Sequence, residues 1–279
     1  MKKSFIAAVA LVILLAGLLP VAAWATAAFT LGVLPIHSAR TLATRYEPLR
    51  AYLEDKLNQP VRLESAPDFA RFQQRTLNGD FNLTITPAHF ARLAQLDAGY
   101  RPLTHYTPDH DSLLIYPRAR PLASAAGLRG KTLAVIDQLA ITVSAAMDYL
   151  DTQGLEAGRD FRVLEHRTHV SVAYSLLNGT AAAAVTTSQG LLQMPDDVRD
   201  NVVVMKHVAD IPAFVFLARP DTPPARAEQL KSLLLAFPAT PTGERFLRQI
   251  GYTAILPVDE HYMARADTYL KSTRKALGP

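Results

Sequence analysis

Short apolar runs recur along the chain, and most are followed by a longer stretch with apolar positions at helical spacing, the mark of alternating strands and amphipathic helices. "FTLGVLP" at 29–35 predicts a strand and "TLATRYEPLRAYLEDKLN" at 41–58 a helix. "VRLESAP" and "DFARFQQRTLNG", then "FNLTITP" and "AHFARLAQLDAG", repeat the pair, and Gly99 stops the last helix. After "YTPDHDS" the rhythm restarts with strands at "LLIYPR" and "KTLAVID", a helix at "AITVSAAMDYLDTQG" and a strand at "FRVLEH". "SQGLLQMPDDVRD" and the strand "NVVVMKHV" complete this second unit. "AFVFLARP" is a strand of different setting, and helices follow in "TPPARAEQLKSLLLAF", "TPTGERFLRQIG" and "DEHYMARADTYLKSTRKAL". The order predicts an α/β protein of two lobes, each a mainly parallel sheet flanked by helices.

The stretch 164–187, "LEHRTHVSVAYSLLNGTAAAAVTT", shows the local logic. Val172, Ala173, Leu176 and Leu177 form one apolar stripe, and Thr168 is placed to accept from a free N–H of the first turn. Gly179 suits the left-handed conformation that ends a helix, and "AAAAVTT" reads as a buried strand with a polar end. His169 therefore sits in the first turn of a helix, where it either covers the helix end or meets a ligand. Thr222-Pro223 and Thr240-Pro241 place a capping threonine before a proline at the first helical position.

The first 27 residues of the 279 alter the picture of where the protein works. Lys2 and Lys3 precede a long apolar run that ends in Ala-x-Ala sites, the layout of a cleaved secretory signal peptide. The rest is long enough for two ordinary domains. Two of the four net positive charges belong to Lys2 and Lys3, and no Lys/Arg block suits nucleic acid. The chain has no cysteine, which excludes disulfides, thiolate metal sites, a cysteine nucleophile and a lipid-bearing cysteine. An exported protein without an anchor is retained only behind an outer membrane, so the expected location is a Gram-negative periplasm.

Several motifs carry little chemistry. "AGLRGKT" resembles a phosphate loop but has Ala125 in place of the first glycine and precedes a strand instead of following one. His166 with His169, and His105 with His110 and Asp111, offer imidazoles and a carboxylate to zinc without a dedicated spacing. No Gly-x-Ser-x-Gly elbow is present, and the carboxylates are dispersed along helices. No enzymatic activity, cofactor or resident metal is expected from these residues.

A chain that builds one βα unit, leaves it for a second and then returns predicts two lobes joined by two crossings, near Pro108–Asp111 and Asp210–Pro212. Residues 28–109 and 213–279 would form lobe 1 and residues 110–212 lobe 2. Ligands in such sheets bind at the carboxyl ends of strands, beside helix N-termini. That rule points to Leu34–Ser38, Thr84–His89, Asp137–Thr142, His166–His169 and Thr186–Ser188, and the candidates taken from these ranges are His37 and Ser38, Thr86, Ala140, Ile141 and Thr142, His169 and Thr187. Tyr46 is a further candidate for the pocket wall.

In this order the landmarks "YEPLRAYLEDKLNQPV", "APDFARFQQRTLNGD", "LRGKTLAVID", "THVSVAYSLLNGTAAAAVTT" and "TPTGERFLRQIGY" resemble the phosphate/phosphite/phosphonate family of periplasmic solute-binding proteins, the PhnD-like components of ABC importers. The resemblance implies a type II periplasmic binding protein fold, two α/β lobes that close about two hinge crossings on a small oxyanion, with a permease as partner and a monomer as the working form. The family's Ser-Thr-Ser-Gly signature, which holds oxyanion oxygens at a helix N-terminus, falls on Ala140-Ile141-Thr142-Val143, where only Thr142 keeps a hydroxyl. The family histidine falls on His169, its tyrosine after the third strand on Thr86, and its acid near the return crossing close to Ala213. Two other readings share the sequence: a sensory module presenting its bound state to a membrane kinase or receptor, and a zinc-binding protein.

Overall fold

The computed structural model describes residues 28–192 and 194–278; the segment read as a signal peptide lies outside them. The chain opens with three strands, β1 (Phe29–Val33), β2 (Val61–Glu64) and β3 (Leu83–Thr86), linked by helices α1 (Ala39–Leu57) and α2 (Phe69–Leu77). Strand β1 pairs in parallel with both β2 and β3. Helix α1 buries Leu42, Tyr46, Leu49, Leu53 and Leu57, so its stripe survives an internal Pro48. It begins where Ser38 accepts from Thr41 N–H, and it ends where Asn58 takes φ 50°. Helix α3 (Ala88–Ala98) leads to β4 (Arg101–Thr107).

The chain then leaves this sheet. Strand β5 (His110–Pro117) belongs to a second sheet with β6 (Thr132–Val135), β7 (Arg162–Glu165), β8 (Ala183–Thr186) and β9 (Val202–Ile211). Strand β6 pairs in parallel with β7 and β8 through helices α4 (Ile141–Thr152) and α5 (His169–Leu177), the arrangement of β1–β3 repeated. The short helices α6 (Ser188–Leu192) and α7 (Asp196–Arg199) precede β9. The return builds β10 (Val215–Ala218), α8 (Pro224–Ala236), α9 (Pro241–Ile250), β11 (Ala254–Pro257), α10 (Glu260–Ala264) and α11 (Leu270–Leu277). Strand β10 inserts antiparallel between β3 and β4. The sheet orders are β11-β4-β10-β3-β1-β2 and β7-β6-β8-β5-β9. This is the two-lobe α/β type II periplasmic binding protein fold. Among the described residues no helix is long and apolar enough to cross a membrane.

The chain passes between the sheets twice, from β4 to β5 and from β9 to β10, and the passages are tied together. Asp109 on the first accepts from the Tyr262 hydroxyl at 2.8 Å and from Ala213 N–H of the second at 3.3 Å, and pairs with Arg265 at 2.7 Å. Ala213 N–H also donates to the Tyr262 hydroxyl at 2.7 Å.

Two local expectations need correction. Helix α8 starts one residue later than read: Pro223 is its N-cap and Pro224 its first residue, so Thr222 does not cap it. A second proline fits the first turn, where no N–H partner is lost, and it displaces the cap. The C-terminal helix is broken into α10, a 3-10 turn at Asp267–Tyr269 and α11. The break lets Met263 and Ala266 pack with the buried alanines of α3 while Tyr269 packs with Ile141 and Ala145 of α4. Thr240 does cap α9, accepting from Gly243 N–H at 2.9 Å. Thr240→Ala is expected to cost about 1 kcal/mol of stability, the usual worth of an N-cap; an unchanged urea midpoint would contradict that role.

Candidate ligand site between the two sheets

The carboxyl ends of β1, β6 and β8 run into loops and helix starts that border one cavity of about 70 Å³. Seven of its wall residues are large and apolar: Leu34 and Ile36 after β1, Phe69 at the start of α2, Ile136 after β6, Ile141 in the first turn of α4, Phe214 on the second crossing and Ile250 at the end of α9. The polar lining comprises His37, His110 and His169, Tyr46 and Tyr252, Thr142, Thr187 and Gln189. Among the described residues no Lys, Arg, Asp or Glu lines it.

Seven of the nine residues selected from sequence border this cavity: His37, Tyr46, Ala140, Ile141, Thr142, His169 and Thr187. Ser38 instead borders an adjoining outer opening of about 730 Å³, and its hydroxyl caps α1. Thr86 does not line the cavity. It ends β3 opposite Val215, fully buried, with its hydroxyl lacking a partner. The insertion of β10 beside β3, a non-local event, is what encloses it. Twelve lining residues were not selected from the sequence, His110, Gln189, Phe214 and Tyr252 among them. His110 was weighed only as a metal ligand, while Gln189, Phe214 and Tyr252 come from a short helix, a crossing and the residue after a helix stop.

The three imidazoles are held neutral. His37, His110 and His169 are each pushed down to about 4 by burial. Arg45 adds to this at His37: its guanidinium lies 2.9 Å from His37 Nε2 and can only donate, so that nitrogen accepts and the proton sits on Nδ1. His110 Nε2 shares a 2.5 Å hydrogen bond with the Tyr252 hydroxyl, and Tyr252 stacks on Tyr106 with ring centroids 4.4 Å apart. His169 Nδ1 lies 3.4 Å from the Thr186 hydroxyl, a long contact that leaves the ring weakly committed. Gly190 closes this corner: a Cβ there would lie 2.7 Å from Thr186 Oγ1 and 3.2 Å from His169 Nδ1.

Each helix at the site begins as its sequence dictates. Thr168 accepts from Ser171 N–H at 3.1 Å and so sets His169 in the first turn of α5. Helix α4 has Ala140 at its N-cap with no side-chain cap, which puts the Thr142 hydroxyl beside its first turn. Its N-terminus is thus satisfied by no side chain of its own. A fourth imidazole, His89, bridges the two sheets by donating from Nε2 to Leu139 O at 2.9 Å.

The histidine pairs weighed as zinc ligands do not converge. His166 borders the outer opening and His169 the inner cavity. His105 stacks on Tyr262 at 3.7 Å, while His110 meets Tyr252. Among the described residues no group of three or more His, Cys, Asp or Glu is disposed to hold a metal ion.

Two sheets joined by paired crossings, with a cavity at their strand ends, define a two-lobe periplasmic binding protein. The family model described as "ABC transporter, phosphonate, periplasmic substrate-binding protein" matches residues 31–262, and the chain belongs to that family. The fold is similar to a binding protein component of an ABC phosphonate transporter from Pseudomonas aeruginosa (15% identity, TM-score 0.78, covering 90% of this chain and 89% of that one). It is similar too to PhnD1 from Prochlorococcus marinus in complex with methylphosphonate (12% identity, TM-score 0.78, covering 88% and 97%). The periplasmic aliphatic sulphonate binding protein SsuA from Escherichia coli shares the fold at 14% identity and a TM-score of 0.62, covering 90% and 94%.

Proposed function

We propose that the protein is the soluble binding component of an ABC importer, which closes on a small oxyanion between its lobes and delivers it to the permease. Residues 28–109 with 213–279 would move as one lobe and 110–212 as the other, about the crossings tied by Asp109. The segment 1–27 would be removed on export to a Gram-negative periplasm, and the protein would work there as a monomer. The observation that carries this reading is the cavity itself, with Thr142 and His169 in the first turns of two helices. Helix N-termini present free N–H groups and partial positive charge to an anion, and a threonine hydroxyl and an imidazole add side-chain donors. The related proteins that bind methylphosphonate and aliphatic sulphonates lend the reading support.

Titration calorimetry with phosphate, phosphite, phosphonates, sulfonates and small carboxylates tests it. Saturable binding to at least one class is expected, and silence across the panel would contradict anion import. Thr142→Val removes one neutral hydroxyl and is expected to weaken the best ligand by about 1 kcal/mol. An unchanged affinity would remove Thr142 from the site.

A further inference from the structure

We propose that the cleft is built for an organic anion with an apolar substituent larger than methyl, and that it selects against inorganic oxyanions. This inference rests on the function proposed above and names its substrate class. An inorganic oxyanion presents oxygens in every direction, and each oxygen buried without a donor is costly. Such an ion would meet apolar side chains on several sides of this cavity. Ile36, Phe69 and Ile250 come from the elements of the first sheet and Ile136 and Ile141 from those of the second, with Phe214 on the crossing between them. Lobe closure would therefore press apolar walls from both sides onto whatever lies within. A hydrated ion gains nothing from those walls, whereas an alkyl or aryl group gains the full burial of its surface.

The charge balance points the same way. With no Lys, Arg, Asp or Glu among the described lining residues and the imidazoles neutral in the ligand-free protein, the resting cavity offers a ligand's charge only hydrogen-bond donors and helix N-termini. His37 Nε2 is already occupied by Arg45 and His110 Nε2 by Tyr252, so part of the polar lining is spent on the protein itself. A head group with one delocalised negative charge suits such a site better than a compact dianion. The ligand class is thus a sulfonate, a singly charged phosphonate or a carboxylate that carries an apolar tail or ring.

Calorimetry at pH 7 with three homologous series decides this: methyl-, butyl-, hexyl- and phenyl- derivatives of phosphonate, sulfonate and carboxylate, with inorganic phosphate alongside. For the preferred head group, affinity is expected to rise about fourfold per added methylene until the cavity is full, the worth of a buried CH₂. Ile141→Ser is expected to flatten that rise, with its melting curve recorded to confirm folding; the wild-type series stands alone if the variant does not fold. Affinity that is flat or falls with chain length, while phosphate or a methyl compound binds, would overturn the inference and leave the importer reading intact. Binding by no member of any series would overturn both.

Discussion

Stability should fall steeply as the pH drops from 6.5 to 4. His37, His89, His110 and His169 are each lowered from 6.5 to about 4, with burial the largest cause in every case. Between those values the unfolded chain binds more protons than the native one, so stability rises with pH across the window. The contribution is complete above 6.5 and is lost as the pH falls through 4. Each imidazole can remove up to about 3 kcal/mol, with less from the three that border the cavity, where water softens the burial. Asp137 acts in the opposite sense: burial is the largest cause that raises it from 3.8 to about 6, so it favours the native state as the pH falls through 6. Burial raises Asp148 in the same sense, but it also lowers His105 and His166, so the imidazoles prevail. Urea unfolding at pH 7.5, 6, 5 and 4.5 in a buffer without small anions measures the slope. His89→Gln, which keeps a donor for Leu139 O but cannot titrate, should flatten it. A midpoint constant over this range would contradict the neutral burial of these rings.

The second large effect is on binding. His169→Ala is expected to cost about 1.5–3 kcal/mol of ligand affinity, the worth of a hydrogen bond to a charged group. The ring belongs to no buried apolar cluster, and its contact with Thr186 is long, so the ligand-free protein should melt at nearly the same temperature. A bound anion favours the charged ring and raises its pKa from the free-state value of about 4. Binding therefore takes up protons between the free and bound values, and affinity should increase as the pH falls towards 4. Calorimetry in two buffers of different ionisation heat reads that uptake directly. A variant that melts several degrees lower yet binds normally would reduce His169 to a helix-end residue.

The alternation of strands and helices was legible because burial on one sheet face and one helix stripe writes a period into the sequence. Local hydrogen-bond chemistry was equally plain: Thr168 and Thr240 cap as read, and Gly179 takes φ 83° just past α5. Errors arose where tertiary packing decides. Whether residues 259–277 form one helix or three pieces depends on α3 and α4, which the segment itself does not encode. The same division holds at the cavity. Residues at strand ends could be selected by position along the chain, but His110, Phe214 and Tyr252 reach the cavity only because the chain crosses twice and β11 folds back on β4. Thr86 lies outside the cavity lining for the same reason, since its burial depends on β10, more than a hundred residues later.

The central claim is that the lobes close on an organic anion at the inner cavity. A crystal structure with the tightest member of the homologous series tests it most directly. The head group is expected within hydrogen-bond distance of His169 and Thr142, with the substituent against Ile136, Ile141 and Phe214. A ligand held in the outer opening beside Asp137 and Glu165, or at any surface away from the crossings, would contradict the account.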